Sequence, residues 1–113
     1  MNVEQLREIC LKLPHTTEDM KWGENLCFLI GEKIYCLASL DAEFSVSFKV
    51  TQEDFQELIQ KEGINQAPHF ARLQWINVKE QDALTEKEWH ELLSKAYGLI
   101  KSKLPKKMQQ TLK

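Results

Sequence analysis

Hydrophobic and polar residues alternate most regularly near the middle of the chain. The apolar positions are Phe44, Val46, Phe48 and Val50, and the polar positions between them are Ser45, Ser47 and Lys49. Because successive side chains of a β-strand point to opposite faces of a sheet, this period of two predicts a strand over residues 44–50. One face of that strand is expected in the core and the other in water.

Two apolar segments before that strand predict a hairpin. Leu26–Ile30 and Lys33–Ser39 are strand-sized, and Gly31-Glu32 connects them. A two-residue connection with glycine first is typical of a type II′ turn between antiparallel strands. A further strand is predicted over Leu73–Lys79, after a loop over Ile64–Arg72.

The first predicted helix runs over Asn2–Leu13. Its apolar positions recur at helical spacing and are Leu6, Ile9, Cys10 and Leu13. Asn2 and Gln5 form the capping-box pattern of a helix start, and Pro14 ends the segment. The residues that follow, His15–Glu24, are polar and irregular, so we predict an ordered loop there.

Two more helices are predicted. Thr51 can cap a short helix that reaches about Lys61 and ends at Gly63. Thr85 and Glu88 form a second capping-box pattern, which begins the longest helix. The apolar stripe of that helix, which stops before Pro105, comprises Trp89, Leu92, Leu93, Ala96, Tyr97, Ile100 and Leu104.

The predicted elements follow the order helix, three strands, helix, one or two strands and a long helix. Strands and helices that mix without regular βαβ alternation favour an α+β fold. We expect a two-layer sandwich in which an antiparallel sheet carries the helices on one face. The length of 113 residues suits a single domain over residues 1–113, with a basic tail over 101–113.

Composition excludes several classes of protein. Apolar residues make up 42% and charged residues 28% of the chain, which is ordinary for a globular domain. No apolar stretch approaches the roughly 20 residues that a membrane-spanning helix needs, and the first residues lack a signal-peptide pattern. A cytoplasmic location is therefore expected. Cys10, Cys27 and Cys36 form no C-x-x-C pair, and we interpret them as buried apolar side chains in a reducing compartment.

The sequence contains no recognisable catalytic or cofactor motif. Zinc sites need three or four Cys or His ligands at tight spacing, and no such cluster occurs. The four glycines are isolated, so the glycine-rich nucleotide-binding motifs are absent. His15, His69 and His90 accompany no nucleophile motif. We expect a protein that is not an enzyme and has neither metal nor cofactor; an enzyme acting through His69 and a cysteine is the least favoured alternative.

Charge is distributed unevenly along the chain. The net charge is −2, but residues 1–100 hold ten Lys or Arg against seventeen Asp or Glu, whereas residues 101–113 hold five Lys and no acid. Such a tail can contact nucleic-acid phosphates, or it can be a solvated helix end whose lysines complement the helix dipole. The acidic body opposes duplex binding. The candidate nucleic-acid-binding residues are Lys33, Lys49, Arg72, Trp75, Lys101, Lys103, Lys106 and Lys107.

Aromatic residues add a candidate for base stacking. Trp22 or Trp75 can serve as a stacking surface beside the lysines. For Trp75, a place in the core is the favoured interpretation.

The sheet offers an alternative to nucleic acid. If the helices cover one face, the other face carries Ser45, Ser47 and Lys49 beside either Tyr35 and Leu37 or Cys27 and Leu29. A mixed apolar and polar surface of this kind can dock a protein partner or a second copy of the chain. A protein-interaction module, which could form a homodimer, is therefore the second hypothesis.

Short motifs spread over the chain resemble one family. They are Leu11-Lys12-Leu13-Pro14, Thr17-Glu18, Trp22-Gly23, Gly31-Glu32-Lys33-Ile34-Tyr35-Cys36, Ser47-Phe48-Lys49, Ala67-Pro68-His69-Phe70-Ala71-Arg72-Leu73-Gln74-Trp75-Ile76, Leu92-Leu93-Ser94-Lys95-Ala96-Tyr97 and Leu104-Pro105-Lys106-Lys107. In this order and spacing they resemble the MmcQ/YjbR family of small bacterial proteins over essentially the whole chain.

The resemblance implies a fold and a function class. The implied order is α-β-β-β-α-β-β-α, similar to type III secretion chaperones, and the implied function is DNA binding. The family offers no catalytic residues to carry over. The chain departs from many relatives at Gln74, where they have His before the Trp, and at His69, where they have an aromatic residue after Pro. We therefore predict a DNA-binding protein, with the protein-interaction module as the alternative.

Overall fold

The computed structural model describes residues 1–41, 43–67 and 74–111. These residues contain six strands and four helices. In chain order they are α1 (Val3–Leu11), β1 (Thr17–Lys21), β2 (Asn25–Ile30), β3 (Lys33–Ser39), β4 (Ser45–Lys49), α2 (Gln52–Leu58), β5 (Ile64–Gln66), β6 (Trp75–Val78), α3 (Glu86–Lys101) and α4 (Lys106–Thr111). The implied order α-β-β-β-α-β-β-α is present, with β1 and α4 as additions.

All six strands form one sheet in the order β1-β2-β3-β4-β6-β5, and every neighbouring pair is antiparallel. Strand pairing aligns Phe28, Cys36, Phe48 and Ile76 across the sheet, and all four are fully buried. Apolar residues of α1, α2 and α3 join this row in one core. The predicted α+β fold, with an antiparallel sheet and helices packed on one face, is confirmed.

The predicted helix starts are confirmed in atomic detail. The Asn2 side chain accepts from the Gln5 backbone N–H at 2.9 Å, and the Gln5 side chain accepts from the Asn2 N–H at 3.0 Å. Thr85 and Glu88 repeat this exchange at the start of α3. Each reciprocal pair satisfies backbone donors that the first turn leaves unpaired.

Two predicted loops contain strands. Residues 17–21 of the predicted loop His15–Glu24 form the edge strand β1, and Ile64–Gln66 form β5. The sequence does not indicate β1 because its residues are polar. They are polar because β1 is an edge strand, paired on one side only, whose side chains are largely exposed. Arg7 of α1 also holds it, donating to both carboxylate oxygens of Glu18 at 2.7 and 2.9 Å, which lowers the pKa of that carboxyl.

The β2–β3 turn differs from the predicted type. Both Gly31 and Glu32 have positive φ, 57° and 70°, as a type I′ turn requires, so the predicted type II′ turn is wrong. A Cβ atom at Gly31 would lie 2.7 Å from both Leu104 Cδ1 and Met108 Sδ. Glycine therefore lets the segment after α3 pack directly on the tip of this hairpin.

Candidate functional site

The sheet face opposite the core, here called the open face, is defined by the strand register. Cys27, Leu37, Ser47 and Asn77 lie side by side across four strands on this face. Of the neighbours predicted for this face, Leu37 and Cys27 lie on it, whereas the prediction is wrong for Tyr35. A β-bulge at the β2–β3 pairing turns Tyr35 toward the helices, where its hydroxyl lies 3.3 Å from the Cys10 carbonyl oxygen.

The open face is more buried than predicted. Ser47 and Lys49 are only 7% and 9% exposed. Asn77 donates through Nδ2 to Ser47 Oγ at 2.8 Å and to Ser45 Oγ at 3.1 Å. Polar residues can be buried here because they satisfy one another across β4 and β6.

A groove of about 400 Å³ is lined both by residues of the open face and by residues at the end of α3, and we call it the open-face groove. It is lined by Trp22, Glu32, Lys33, Ile34, Leu37, Lys49, Trp75, Ile100 and Lys103. Four of the predicted binding residues therefore come together in one place: Lys33, Lys49, Trp75 and Lys103.

Strand ends bring these side chains together. Lys49 ends β4 and is paired in register with Trp75, the first residue of β6. Lys33 begins β3 directly after the hairpin turn, and Lys103 follows the end of α3. Residues far apart in sequence thus meet because antiparallel pairing returns successive strands to the same end of the sheet.

The cations of the groove influence one another. Burial, and then the neighbouring ammonium group of Lys103, lower the pKa of Lys49 to about 8. Both effects disfavour the charged form of the amine. Lys33 and Lys103 are exposed, and neither forms a salt bridge within the described part of the chain. An anion in the groove would therefore meet a concentrated positive charge.

The two tryptophans of the groove differ sharply in exposure. Trp75 is 7% exposed, so it is buried as the favoured interpretation expects, but it lies in the wall of the groove on the open face and not in the helix-side core cluster. Trp22 is 67% exposed and has a positive φ of 49°, which is uncommon outside glycine. Asn25 Nδ2 donates to the Trp22 carbonyl at 2.9 Å and holds this turn.

The remaining predicted residues lie elsewhere. The Lys101 ammonium is 5.7 Å from the centre of the Tyr97 ring, a cation–π contact. Lys106 and Lys107 are exposed in the first turn of α4 and do not line the groove. Arg72 and His69 lie outside the described residues.

Sequence reasoning missed the apolar floor of the groove. Ile34, Leu37 and Ile100 contribute to it. Leu37 is one of the alternatives predicted for the open face, whereas the helical pattern places Ile100 in the buried stripe of the last helix. The period of that stripe indicates burial but does not indicate which end of the sheet Ile100 reaches.

Potential metal ligands in the described residues are not clustered, and the cysteine thiols are buried. No three His, Cys, Asp or Glu side chains in residues 1–41, 43–67 and 74–111 are grouped so that they could hold a metal ion. All three cysteines are buried, as predicted, and burial raises the pKa of the Cys27 and Cys36 thiols. A protonated thiol is a weak nucleophile.

The helices also bear on membrane insertion. Among those that the structure describes, none combines the length and the apolar character needed to cross a bilayer.

Comparison with known proteins places the chain among its relatives. DR2400, a Deinococcus radiodurans protein with a DUF419 domain, has a crystal structure with a TM-score of 0.88 and 28% identity, covering 98% of this chain and 87% of that one. A Pseudomonas syringae protein of known crystal structure has a TM-score of 0.73 and 25% identity, covering 88% and 98%. None of the curated proteins matches. The sequence model of the YjbR family matches residues 11–99, so the chain belongs to the YjbR family.

Proposed function

We propose that this protein is a non-enzymatic nucleic-acid-binding protein, with DNA as its ligand and the open-face groove as its binding site. The observation that carries the proposal is the convergence of Lys33, Lys49 and Lys103 with Trp22 and Trp75 around one groove. Lysines neutralise phosphates, and aromatic rings stack on bases. The groove combines both kinds of group although the chain as a whole is acidic.

Charge distribution supports the site further. Residues 1–100 carry an excess of acid, yet the groove holds three lysines against one acidic residue, Glu32. A local positive potential within an acidic surface directs anions to that location and repels them elsewhere. The groove is therefore better suited to a specific anionic ligand than the overall charge suggests.

The protein-interaction alternative has less support from the open face. Large exposed apolar side chains among the described residues are Leu11, Met20 and Trp22. Leu11 lies on α1, and Met20 is paired with the core residue Leu26, so both belong to the helix side of the sheet. Of these three side chains, Trp22 is the one that lines the open-face groove.

Fluorescence anisotropy of labelled DNA at several salt concentrations tests the proposal. We expect a dissociation constant in the micromolar range or below at low salt, and a log–log slope of about −2 to −3 with salt for three neutralised phosphates. Absence of binding at low salt to both single-stranded and duplex DNA would refute the proposed function.

Binding is also expected to weaken as the pH rises through about 8, the pKa of Lys49. A bound phosphate favours the charged amine, so the pKa of Lys49 rises in the complex and binding takes up a proton above pH 8. If the neutral amine contributes nothing, affinity at pH 9 is up to about tenfold lower than at pH 7.

The matched control for this pH dependence is Lys49→Arg. Arginine stays protonated over the whole range, so the variant should bind with little change between pH 7 and pH 9. A fall in affinity that is the same in both proteins would assign the titration to another group.

A further inference from the structure

The exposed indole of Trp22 at the groove bears on which form of nucleic acid the groove would bind. We propose that the open-face groove binds a single strand, with one unpaired base stacked on the Trp22 indole and the neighbouring phosphates on the groove lysines. This inference rests on the proposed function and narrows its ligand to one class.

Trp22 is presented to solvent by a defined turn. It directly follows β1, and Gly23 after it also has a positive φ, 86°. The hydrogen bond from Asn25 to the Trp22 carbonyl fixes the backbone between the two strands. Because Trp22 is 67% exposed, its large ring contributes little to the packing of the core. An exposed aromatic ring beside a group of lysines is the combination that single-strand binding sites use.

Trp22 adds an aromatic ring to the lysines of the groove. It lines the same groove as Lys33, Lys49 and Lys103. Single-strand binding sites combine cations that follow the backbone with aromatic rings that accept successive bases. Trp75 is too buried to offer a face, so Trp22 is the ring of this groove that can stack.

An intact duplex offers no free base to this arrangement. Each base within a duplex already stacks on its neighbours, so it offers no free face to an indole unless it is first extruded, which costs energy. The volume of about 400 Å³ is also in the range of small-ligand pockets, which suits one or two nucleotides and not a double helix. The groove is therefore better suited to an unpaired strand than to a double helix.

Anisotropy with matched oligonucleotides tests this inference. A labelled single strand about ten nucleotides long is compared with the blunt duplex of the same sequence, using the wild-type protein, Trp22→Ala and Trp22→Phe. We expect the wild type to bind the single strand at least about tenfold more tightly than the duplex. Trp22→Ala should lower single-strand affinity by about tenfold, Trp22→Phe should lower it less, and neither should change duplex affinity.

The salt dependence separates stacking from a structural role. Trp22→Ala should leave the slope of log affinity against log salt unchanged, because the indole neutralises no phosphate. Met20→Ala is the control, since Met20 is a nearby exposed apolar residue, 49% exposed, that does not line the groove. It should bind like the wild type.

The outcomes are distinguishable. Equal affinity for single strand and duplex, or unchanged single-strand affinity in Trp22→Ala, would overturn the single-strand inference and leave nucleic-acid binding in place. A mononucleotide that competes as well as the strand would overturn it in favour of a nucleotide site. Failure of every nucleic acid to bind would overturn the inference and the proposed function together.

Discussion

Trp89→Ala is expected to lower the free energy of unfolding by about 3–5 kcal/mol. Trp89 is 2% exposed and is among the largest fully buried side chains. Its ring centre lies 6.0 Å from that of Phe48 in β4, and its Nε1 donates to the Gln81 carbonyl at 3.4 Å. The substitution removes one of the largest side chains that pack α3 against the sheet and leaves a cavity. Since the free energy of unfolding of a small domain is only about 5–15 kcal/mol, the substitution would remove a large part of it.

Urea unfolding followed by far-ultraviolet circular dichroism measures this destabilisation. Trp22→Ala is the matched control, because it is the same substitution at a ring that is 67% exposed. It should change the free energy of unfolding by no more than about 0.5 kcal/mol. Equal destabilisation by the two substitutions would contradict the burial that the fold assigns to Trp89.

Local patterns predict most of the fold because their causes are local. The two capping boxes involve residues three positions apart, so the sequence alone contains both partners. The alternation over residues 44–50 and the stripe of α3 identify core residues for the same reason. Helix ends are less predictable: α1 ends at Leu11 and α2 at Leu58, each before the predicted end.

Features that depend on distant residues escape such patterns. β1 is a strand because β2 pairs with it and Arg7 binds Glu18, and neither partner is visible in the polar sequence of the strand itself. The alternation in β4 predicts correctly which side chains face the core. It cannot show that Ser47 is buried, because this depends on Asn77, thirty positions along the chain.

For the candidate site, too, the sequence indicates some features and only the structure shows the others. Composition indicates which residue types can bind nucleic acid, but it gives the tail lysines the same weight as Lys33 and Lys49. The structure separates them: Lys103 reaches the groove, whereas Lys106 and Lys107 lie on α4. Sequence alone leaves Trp22 and Trp75 as alternative stacking rings, and only their exposures decide between them.

Charge reversal at the groove is expected to have the largest effect on binding. The double variant Lys33→Glu/Lys103→Glu should weaken DNA binding by about hundredfold at low salt, because two attractive contacts become repulsive. It should also reduce the magnitude of the salt slope by about 1.4 for a single strand, at roughly 0.7 for each phosphate that is no longer neutralised. Both residues are exposed, so the fold should tolerate the change. Anisotropy over a salt series measures both quantities.

The matched control is Lys106→Glu/Lys107→Glu, which makes the same change in net charge on α4, outside the groove. If the groove is the site, this variant should weaken binding far less than the groove variant. The magnitude of its salt slope should decrease only by the contribution of the phosphates that the tail itself neutralises. Equal effects would mean that binding depends on net charge and not on the groove. A larger effect in the tail variant would move the site to the basic tail. The comparison therefore locates the phosphates on the protein, because position is the only difference between the two variants.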